Sequence, residues 1–569
     1  MKKNNSKKDS TVKSFFEYMG KYIKVKYPYL IIAFIGFLLV SLLNFAKIST
    51  VQTVASFTLE EYEIGQISDR TIIAEKDLPP DEINPVSILK GEKIIKKGFP
   101  ITEENYSKLQ KMAESPLFID YRSFANGELF IFLLVITWFI LFSFVPGDKK
   151  IEVRESIVHL IFFLILYAMT AFLGKFKFFN DEYSICMILP TSMFIMLITI
   201  LYGNISAVII SFMLSFGVLN ACGWYIPTFI YSLANCLTSA IIVRKIDKRI
   251  DLILASLIVS VLNAVYMVLI LVIFNEEIAS VIGKLVIGVA LNGLLSGVLT
   301  LGLLTPLEMV LNTASVFRLM DLSDVNNPLL RKMMVQASGS YQHSMMVAQL
   351  AESACREINA NSLLARVGAY YHDIGKVEQP EYFTENNFDG KNKHDELNPT
   401  MSASVIKSHV RKGVEKAYEL RMPKAVINII SEHHGNDVIG YFYNKGVIQQ
   451  DESLTPEDFS YPGNPPSSKE SAVVMLADTV EAACRSLDNP TVPRLEKFIT
   501  TLVNGKMERK QLDNCDLTFR DITKIKDVFV QILGAYYHTR IKYPNQKDPD
   551  ADKTTEKASE KSAEKGDVR

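Results

Sequence analysis

Histidine and aspartate residues whose spacing could build a metal site fall in the C-terminal half of this chain. Seven of the eight histidines lie between His343 and His538. Most of them belong to a run of single residues and adjacent pairs, namely His343, His372-Asp373, His409, His433-His434 and Asp478. Imidazole nitrogens and carboxylate oxygens are ligands that divalent iron, manganese and zinc accept, and none of these positions is a cysteine. The pattern therefore predicts a two-metal hydrolase site.

Several of these residues stand in apolar helical patterns, where a lone polar group is costly. His343 shares a helical face with apolar residues at 3.6-residue spacing, and Asp478 directly follows the apolar segment 473–477. His372-Asp373 ends a further apolar helix, which Gly375 is placed to stop. A cation shared by three helices would stabilise these groups. For any one histidine, the simpler alternative is a core residue bonded to a backbone carbonyl.

The elements that must position these residues divide the chain into an apolar half and a soluble half. Hydrophobic residues make up 49% of the 569 residues and crowd into positions 29–310. A helix that crosses a bilayer needs about 20 apolar residues. The predicted spans are 29–46, 128–145, 156–173, 183–202, 204–221, 225–243, 252–274 and 282–305. The sequence therefore predicts a multi-pass membrane protein.

Charge and cysteine usage exclude some classes of partner and site. The net charge is −1, which indicates no nucleic-acid partner, and the six cysteines include no CxxC pair.

Basic residues cluster in the N-terminal tail and in the loops at 146–155 and 244–251. By the positive-inside rule, and because eight crossings return the chain to its starting side, we expect both ends to be cytoplasmic in the cell membrane. A cleaved signal peptide is the alternative for the first span, which lacks an A-x-A site.

The predicted fold class is all-α for the main parts, with one small α+β module outside the membrane. The first helix of that module should begin near Thr102. Within the membrane region, we expect His159 to have an interfacial or packing role rather than to relay protons. The predicted order is a cytoplasmic tail (1–28), a first transmembrane helix (29–46), the α+β module (47–127), a seven-helix transmembrane domain (128–310), a linker (311–340), a cytoplasmic all-α domain (341–543) and a disordered tail (544–569).

Four motifs of the C-terminal domain resemble the HD-domain phosphohydrolases. They are Tyr341-Gln342-His343-Ser344, Tyr371-His372-Asp373-Ile374-Gly375-Lys376, Glu432-His433-His434-Gly435 and Leu476-Ala477-Asp478-Thr479-Val480-Glu481. With its N-terminal anchor and seven further spans, the chain from about residue 25 to 543 resembles the 7TM-HD family of membrane phosphohydrolases, in particular the PgpH-type cyclic di-AMP phosphodiesterases. The segment outside the membrane, about 80 residues, is shorter than is usual in that family.

The resemblance implies the roles of the metal ligands and of the catalytic residues. His343, His372, Asp373 and Asp478 would hold one divalent ion, and Asp373 would bridge to a second ion held by His409, His433 and His434. The ions would be Mn²⁺ or Fe²⁺. In-line attack by water would open cyclic di-AMP to linear pApA, with His372, Asp373 and Lys376 as the catalytic residues. A homodimer and contact with membrane lipid are also expected.

Substrate contacts are predicted for four residues, each with a structural alternative. Lys376 would contact a phosphate oxygen or be a solvated lysine at a helix end, and Arg485 would meet a second phosphate or pair with Glu481. Tyr443 and Tyr461 would stack on adenine, together with Phe442, or pack as ordinary aromatic residues. The His394-Asp395 pair lies among polar residues and is predicted to be a loop.

Two other functions stay open at the level of sequence. Another HD phosphohydrolase would act on cyclic di-GMP, a deoxynucleotide or guanosine tetraphosphate. The His433-His434 pair is followed by Gly435-Asn436-Asp437 and lacks the GYP element of cyclic di-GMP enzymes. The second alternative, a receptor that binds a nucleotide without cutting it, fits less well with a complete set of metal ligands.

Overall fold

Helices dominate the part of the chain that the structure describes. The computed structural model describes residues 26–48, 59, 62–74, 76–80, 85–114, 121–144, 152–173, 183–274, 282–387, 392–448, 454–487 and 490–537. The basic N-terminal tail up to residue 25, His538 and the tail 544–569 lie outside the described residues. Two compact units are present, Met1–Arg318 and Leu319–Arg569.

The first unit contains nine of the described helices and one small sheet. They are α1 (Lys26–Ile48), β1 (Ile72–Ile73), β2 (Lys93–Ile95), α2 (Glu103–Glu114), α3 (Tyr121–Phe144), α4 (Val153–Leu173), α5 (Thr191–Tyr202), α6 (Asn204–Ala221), α7 (Ile226–Val243), α8 (Arg249–Ile273) and α9 (Ile282–Leu311). Seven of these, α1, α3, α4 and α6 to α9, are long and apolar enough to cross a membrane. A further helix, α10 (Val316–Leu322), contains the boundary between the units.

The fourth predicted span differs from the rest. Residues 183–202 form a short 3-10 turn, Ser184–Met187, followed after Pro190 by α5, which has only 12 residues. Proline cannot continue a helix from the preceding turn, so the apolar segment is interrupted. Eleven of the 12 residues of α5 are buried, and Gly203, at φ +96°, separates α5 from α6. The other seven predicted spans each overlap one of the seven long helices.

The module between α1 and α3 is a small α+β element, as predicted. β1 and β2 pair antiparallel, and α2 packs on β2 over a core that includes Ile88, Ile95 and Leu109. The N–H of Asn105 donates to the hydroxyl of Thr102 over 3.2 Å, which caps the first turn of α2 at the predicted position. The ammonium group of Lys111 is buried and donates to the carbonyls of Pro79 and Val86.

The second unit is all-α among its described residues. Its helices are α11 (Pro328–Gln336), α12 (Ser338–Glu357), α13 (Ser362–Tyr371), α14 (Pro399–Glu419), α15 (Lys424–Glu432), α16 (Gly440–Ile448), α17 (Lys469–Cys484), α18 (Val492–Glu508) and α19 (Phe519–Tyr536). Short 3-10 turns follow α13, at Ile374–Glu378, Pro380–Tyr382, Thr384–Asn386 and Lys393–Glu396. The helices that carry the predicted ligands, α12, α13, α14, α15 and α17, contact one another.

Local sequence explains where the helices near the site begin. Asn361, Asn398 and Ser468 each accept a backbone N–H in the first turn of α13, α14 and α17. The central residues of α17, Val473 to Ala477, are at most 1% exposed. Each such Val or Leu contributes about 1.5–3 kcal/mol by burial, which offsets the cost of placing charged groups on the same helix.

Candidate metal centre

All seven predicted ligands meet in one buried cluster. His343 comes from α12, His372 and Asp373 from the turn after α13, His409 from α14, and Asp478 from α17. His433 and His434 directly follow α15. The side chain of His434 is 22% exposed, and those of the other six are at most 9% exposed.

The carboxylate of Asp373 lies between two groups of imidazoles. Its Oδ1 atom is 3.4 Å from Nε2 of His409 and 3.9 Å from Nε2 of His433. Its Oδ2 atom is 3.4 Å from Nε2 of His372 and 3.8 Å from Nε2 of His343. One aspartate therefore faces both groups, each with a different oxygen.

Two triads of possible ligand atoms follow from this arrangement. The atoms of His343, His372 and Asp373 lie within 4.8 Å of one another, and so do those of His409, His433 and His434. Asp478 adds a second carboxylate: its Oδ1 is 2.9 Å from Nε2 of His343, and its Oδ2 is 3.5 Å from Nδ1 of His434. These distances leave room for cations between the donor atoms.

Hydrogen bonds on the far side of the imidazoles set which nitrogen faces the cluster. The Nδ1–H groups of His372, His409 and His433 donate to backbone carbonyls three residues earlier, over 2.7, 2.6 and 2.8 Å. The Nδ1–H of His343 donates instead to Glu481 of α17. In His372, His409 and His433, Nε2 is left with a lone pair that faces Asp373, which is the tautomer that a metal ligand requires. Nε2 of His343 lies closest to Asp478, at 2.9 Å.

Burial and neighbouring charges shift the titration of the cluster in opposite directions. Burial lowers the pKa of His409 to about 4 and that of His433 to about 3, so both are neutral. Burial also disfavours the charged form of His343, but its hydrogen bonds to Asp478 and Glu481 outweigh this effect and raise its pKa to about 10. The pKa of Asp373 stays well below its usual range because nearby Lys376 opposes the effect of burial.

Some buried polar atoms of the cluster lack partners within the described part of the chain. Nε2 of His372 and Oδ1 of Asp373 have no hydrogen-bond partner there. Such atoms cost about 1–3 kcal/mol each when left unsatisfied. A donor set of neutral imidazoles and ionised carboxylates around these atoms fits divalent cations, in agreement with the prediction from sequence.

Lys376 lies beside the cluster and not in solvent. Its ammonium nitrogen is 2.7 Å from Oδ2 of Asp373 and 2.9 Å from Oε1 of Glu385, and it stands over the ring of Phe383 at 4.9 Å from the ring centre. The turn that carries it packs tightly on α14, since a Cβ atom on Gly375 would lie 1.9 Å from the carbonyl oxygen of His409. Glycine is therefore required there.

Tyr461 is the predicted aromatic residue that reaches the cluster. Its ring stacks on His434 with the ring centres 4.3 Å apart and the planes at 26°. Its N–H donates to the carbonyl of Asp437 over 3.0 Å. Close packing continues at Gly463, where a Cβ atom would lie 2.7 Å from the carbonyl oxygen of Gly435. The Pro462-Gly463 segment thus clamps the loop after His434 and holds the Tyr461 ring at the edge of the site.

The other predicted contacts lie farther from the ligands. Arg485, whose side chain is 48% exposed, has Nη2 at 3.7 Å from Oε1 of Glu481. Tyr443 packs edge-on against Phe459, with the ring centres 5.7 Å apart, in a separate apolar cluster that also contains Phe442. His394 is buried in the 3-10 turn Lys393–Glu396, where its Nε2 donates to the carbonyl of Tyr382 over 2.8 Å.

Four acidic residues that support the site were not given this role from sequence. Glu481 accepts from His343, and Glu385 pairs with Lys376 and accepts from the hydroxyl of Ser340. Glu432 accepts from both the N–H and the hydroxyl of Ser467, which ties the end of α15 to the segment before α17. Asp437 pairs with Lys506 and Arg509 of the α18 region. Of these four residues, only Glu481 could have been found from the sequence, because it lies one helical turn after Asp478 on the same helix.

Comparison with known families identifies both halves of the chain. Residues 124–315 match a family model described as a 7TM receptor with an intracellular HD hydrolase, and residues 340–483 match the HD domain. The HD-domain match contains all seven clustered residues, from His343 to Asp478. Together with the seven long apolar helices, the matches identify a multi-pass membrane protein that carries a metal-dependent type of hydrolase domain.

Curated relatives match over most of the chain. The cyclic-di-AMP phosphodiesterase PgpH of Bacillus subtilis is 32% identical over 83% of this chain and 67% of its own length. The PgpH of Listeria monocytogenes is 33% identical over 82% of this chain and 65% of its own length, so the chain spans about two thirds of these relatives. A crystal structure of the L. monocytogenes PgpH HD domain in complex with cyclic di-AMP also matches, with 41% sequence identity and a TM-score of 0.36. The match covers 38% of this chain and the whole of the crystallised HD domain.

Proposed function

This chain belongs to the family of 7TM receptors with an intracellular HD hydrolase, and from that premise we propose that it is a membrane-bound, metal-dependent phosphodiesterase. Its proposed substrate is cyclic di-AMP, which it would hydrolyse to 5′-pApA and so end a second-messenger signal. Two PgpH relatives are named as cyclic-di-AMP phosphodiesterases, which supports this substrate.

The position of the Asp373 carboxylate is the main support for this proposal. Asp373 presents one carboxylate oxygen to His409 and His433, and the other to His343 and His372. A carboxylate in this position suits a bridge between two cations, which is the arrangement used for in-line displacement at phosphorus. The ammonium group of Lys376 is shared between Asp373 and Glu385, so bound cations would help to compensate the charge of this buried carboxylate.

We assign His343, His372, Asp373 and Asp478 to one ion, and His409, His433 and His434, with Asp373, to the other. When bound, two divalent cations would lower the pKa of a water molecule and neutralise charge on the phosphate. Ligands of this type accept Mn²⁺ and Fe²⁺ in an order set partly by availability, so either ion satisfies the proposal.

The protein's own side chains would bind and orient the substrate. The ammonium group of Lys376 has three N–H donors, and its contacts with Asp373 and Glu385 leave one for a non-bridging phosphate oxygen. Its positive charge would stabilise the negative charge that develops on the phosphoryl oxygens. His372 holds its ring in one orientation through the carbonyl of Ala369, so that Nε2 and Asp373 keep a fixed relation.

The base-binding side of the site is proposed from the aromatic residues. The ring of Tyr461 extends the surface of His434 and would stack on one adenine. Arg485 is half-exposed and would meet the second phosphate once its side chain leaves Glu481. Tyr443 remains a predicted contact, although its ring faces Phe459 in this structure.

We also propose the orientation of the chain in the membrane. The lysine-rich tail before residue 26 and the basic loop at 244–251 favour the cytoplasmic side by the positive-inside rule. If α5 and the 3-10 turn before it together count as one crossing, the chain keeps eight crossings and returns to its starting side. The HD domain, at 341–543, would then be cytoplasmic, with the linker 311–340 joining it to the transmembrane domain 128–310. The α+β module, within 47–127, would lie outside the cell, and homodimerisation stays a prediction.

Parallel hydrolysis assays test the substrate. The purified protein, supplied with Mn²⁺ or Fe²⁺, would be offered cyclic di-AMP, cyclic di-GMP, a deoxynucleoside triphosphate and guanosine tetraphosphate, with the products separated by chromatography. We expect conversion of cyclic di-AMP to pApA at the highest kcat/KM. A preference for another nucleotide would transfer the assignment to a different HD phosphohydrolase. Metal-loaded protein that binds cyclic di-AMP without cutting it would be a receptor.

A further inference from the structure

The α+β module has an exposed apolar face on the side of its sheet that points away from its core. Ile73 of β1 pairs with Lys93 of β2, and Ile67 pairs with Pro100 in an antiparallel bridge further along the same two segments. Side chains paired across antiparallel strands lie on the same face of a sheet. All four of these residues are exposed, while α2 and the core lie on the other face. Ile67, which is 66% exposed, and Ile73, which is 46% exposed, therefore lie open on the outer face.

Two turns border this face and add further apolar side chains. In the turn 96–99, the N–H of Phe99 donates to the carbonyl of Lys96, and the ammonium group of Lys96 lies 5.6 Å from the centre of the Phe99 ring. The turn 89–92 carries Leu89. Phe99 is 56% exposed and Leu89 is 66% exposed. The outer residues of the sheet and of the turns together form the module face, namely Ile67, Ile73, Leu89, Lys93, Lys96, Lys97 and Phe99.

Basic residues concentrate on this side of the module. Four of the eight residues 90–97 are lysines, and the acidic residue among them, Glu92, pairs with Lys108 of α2 over 2.8 Å. Asp69, beside the turn 96–99, lies 4.0 Å from Arg70. The exposed lysines of the module face are Lys93, Lys96 and Lys97. A basic surface that also exposes large apolar side chains suits contact with an anionic membrane.

The module face begins where the chain enters the membrane. The ammonium nitrogen of Lys90 is 3.5 Å from the hydroxyl oxygen of Ser123. Ser123 is the first residue of the candidate membrane span Ser123–Phe142 on α3. The ends of a span of about 20 residues lie at the two surfaces of a bilayer. The turn that carries Leu89 and Lys90 is therefore at the level of the lipid head groups.

We propose that the module face lies on the bilayer surface and binds anionic phospholipid. Lys93, Lys96 and Lys97 would contact the phosphate groups, and the exposed side chains of Ile73, Leu89 and Phe99 would enter the head-group region. An apolar face alone would suit a protein partner equally well. The lysines, and the position of the adjoining turn at the end of α3, favour an anionic lipid surface. This surface is independent of the hydrolase activity proposed above.

Acylation of lysine amines in the unmodified full-length protein tests this proposal. The protein would be placed in nanodiscs of phosphatidylcholine alone or mixed with phosphatidylglycerol, treated briefly with N-hydroxysuccinimide acetate, and analysed by mass spectrometry site by site. The negative surface potential of the mixed bilayer favours the protonated, unreactive form of nearby amines, so acylation of Lys93, Lys96 and Lys97 should slow about fivefold. Lys424, an exposed lysine of the second unit, should react at the same rate in both nanodiscs. At 1 M salt, where the Debye length is about 3 Å, the difference should largely disappear.

Variants at exposed positions test the apolar contacts. Ile73→Ser/Leu89→Ser should remove most of the slowing, whereas Gln110→Ser, at an exposed position of α2, should leave it unchanged. Equal acylation rates in the two nanodiscs, equal slowing at Lys424, or full slowing in the double variant would each overturn the proposal. Protection that is the same in both nanodiscs and increases with protein concentration would also overturn it, because a second copy of the chain would then cover the face.

Discussion

The Nδ1–H of His343 donates a hydrogen bond to Glu481, while Nε2 of the same ring lies 2.9 Å from Asp478. Asp478 and Glu481 are three residues apart on α17, so one helix contacts both sides of an imidazole that α12 supplies. A carboxylate on the outer nitrogen fixes the orientation of a metal-binding histidine and increases its basicity. Glu481 would therefore act on the metal through His343 rather than bind it.

Replacing Glu481 should weaken metal binding without unfolding the domain. Glu481→Gln preserves the side-chain volume but removes the charge, and it should lower metal affinity about 10- to 100-fold. Titration of the chelated protein with Mn²⁺, followed by metal analysis, measures this. Arg485→Ala is the matched control, since it removes the cation beside Glu481 and leaves the carboxylate on His343. An affinity that falls equally in both variants would assign Glu481 to a salt bridge only.

Lys376 should affect turnover more than metal content. Lys376→Met removes the donor proposed for the phosphate oxygen, and kcat for cyclic di-AMP should fall about 100- to 1000-fold with both ions retained. Lys412→Met is the control, because Lys412 pairs with Glu378 and Gln379 of the adjacent 3-10 segment. Loss of metal in the Lys376 variant, with kcat per bound metal unchanged, would make this lysine a structural partner of Asp373.

Tyr461 should contribute to substrate binding, and Tyr443 should contribute only to the packing of an apolar core. Tyr461→Leu should raise KM for cyclic di-AMP about tenfold, because base stacking contributes about 1–3 kcal/mol, whereas Tyr461→Phe should change it little. Tyr443→Leu is the comparison, since its ring packs on Phe459. Steady-state kinetics of the three variants would give the KM of each for cyclic di-AMP. A larger rise in KM for Tyr443→Leu than for Tyr461→Leu would reverse the assignment.

Acid should destabilise the metal-free protein through its buried histidines. The folded-state pKa values of His409 and His433, about 4 and 3, lie below the unfolded value of about 6.5, so the unfolded state binds more protons below that pH. Burial also holds the pKa of His434 well below its usual value, so this ring acts in the same direction. His343 acts in the opposite direction, because its folded-state pKa of about 10 lies above the unfolded value. Its protonation therefore stabilises the folded protein slightly more at pH 5 than at pH 7. From pH 7 to pH 5 we expect a net loss of about 5 kcal/mol in the free energy of unfolding.

Urea unfolding after chelation, followed by circular dichroism at the two pH values, measures that loss. His409→Asn removes one of the three titrating rings, and its free energy of unfolding should fall by about 3 rather than about 5 kcal/mol between pH 7 and pH 5. If the free energy of unfolding does not change over this interval, these rings are not held neutral in the folded protein.

Much of the site could be predicted because its chemistry resides in residue types that are rarely buried alone. His343 and Asp478 stood out as polar groups on apolar helical faces, and the structure brings them within 2.9 Å of each other. Local signals also located ends of elements: Thr102 caps α2, and α13 ends at Tyr371, directly before the His372-Asp373 pair. Gly375, which was predicted to stop this helix, lies instead inside the 3-10 turn Ile374–Glu378. These features depend on neighbours in the sequence, so a single chain reveals them.

The supporting residues and the interrupted span could not be predicted in the same way. Glutamates such as Glu385 are common on exposed turns, and only the tertiary packing shows that this one contacts Lys376. Averaging hydropathy over about 20 residues hid the effect of Pro190, which separates α5 from the preceding 3-10 turn. Tyr443 and Tyr461 are both aromatic residues in the same stretch of sequence, and only the fold places one of them on His434.

The most direct test of the central claim is turnover by a variant that lacks the His372-Asp373 pair. The full-length protein and its His372→Ala/Asp373→Ala variant would be purified in detergent, loaded with Mn²⁺ and assayed for conversion of cyclic di-AMP to pApA, with bound metal counted in parallel. We expect hydrolysis by the unmodified protein and none by the variant, which should insert in the membrane normally and bind less metal. Undiminished hydrolysis by the variant would contradict the assignment of this cluster as the catalytic centre.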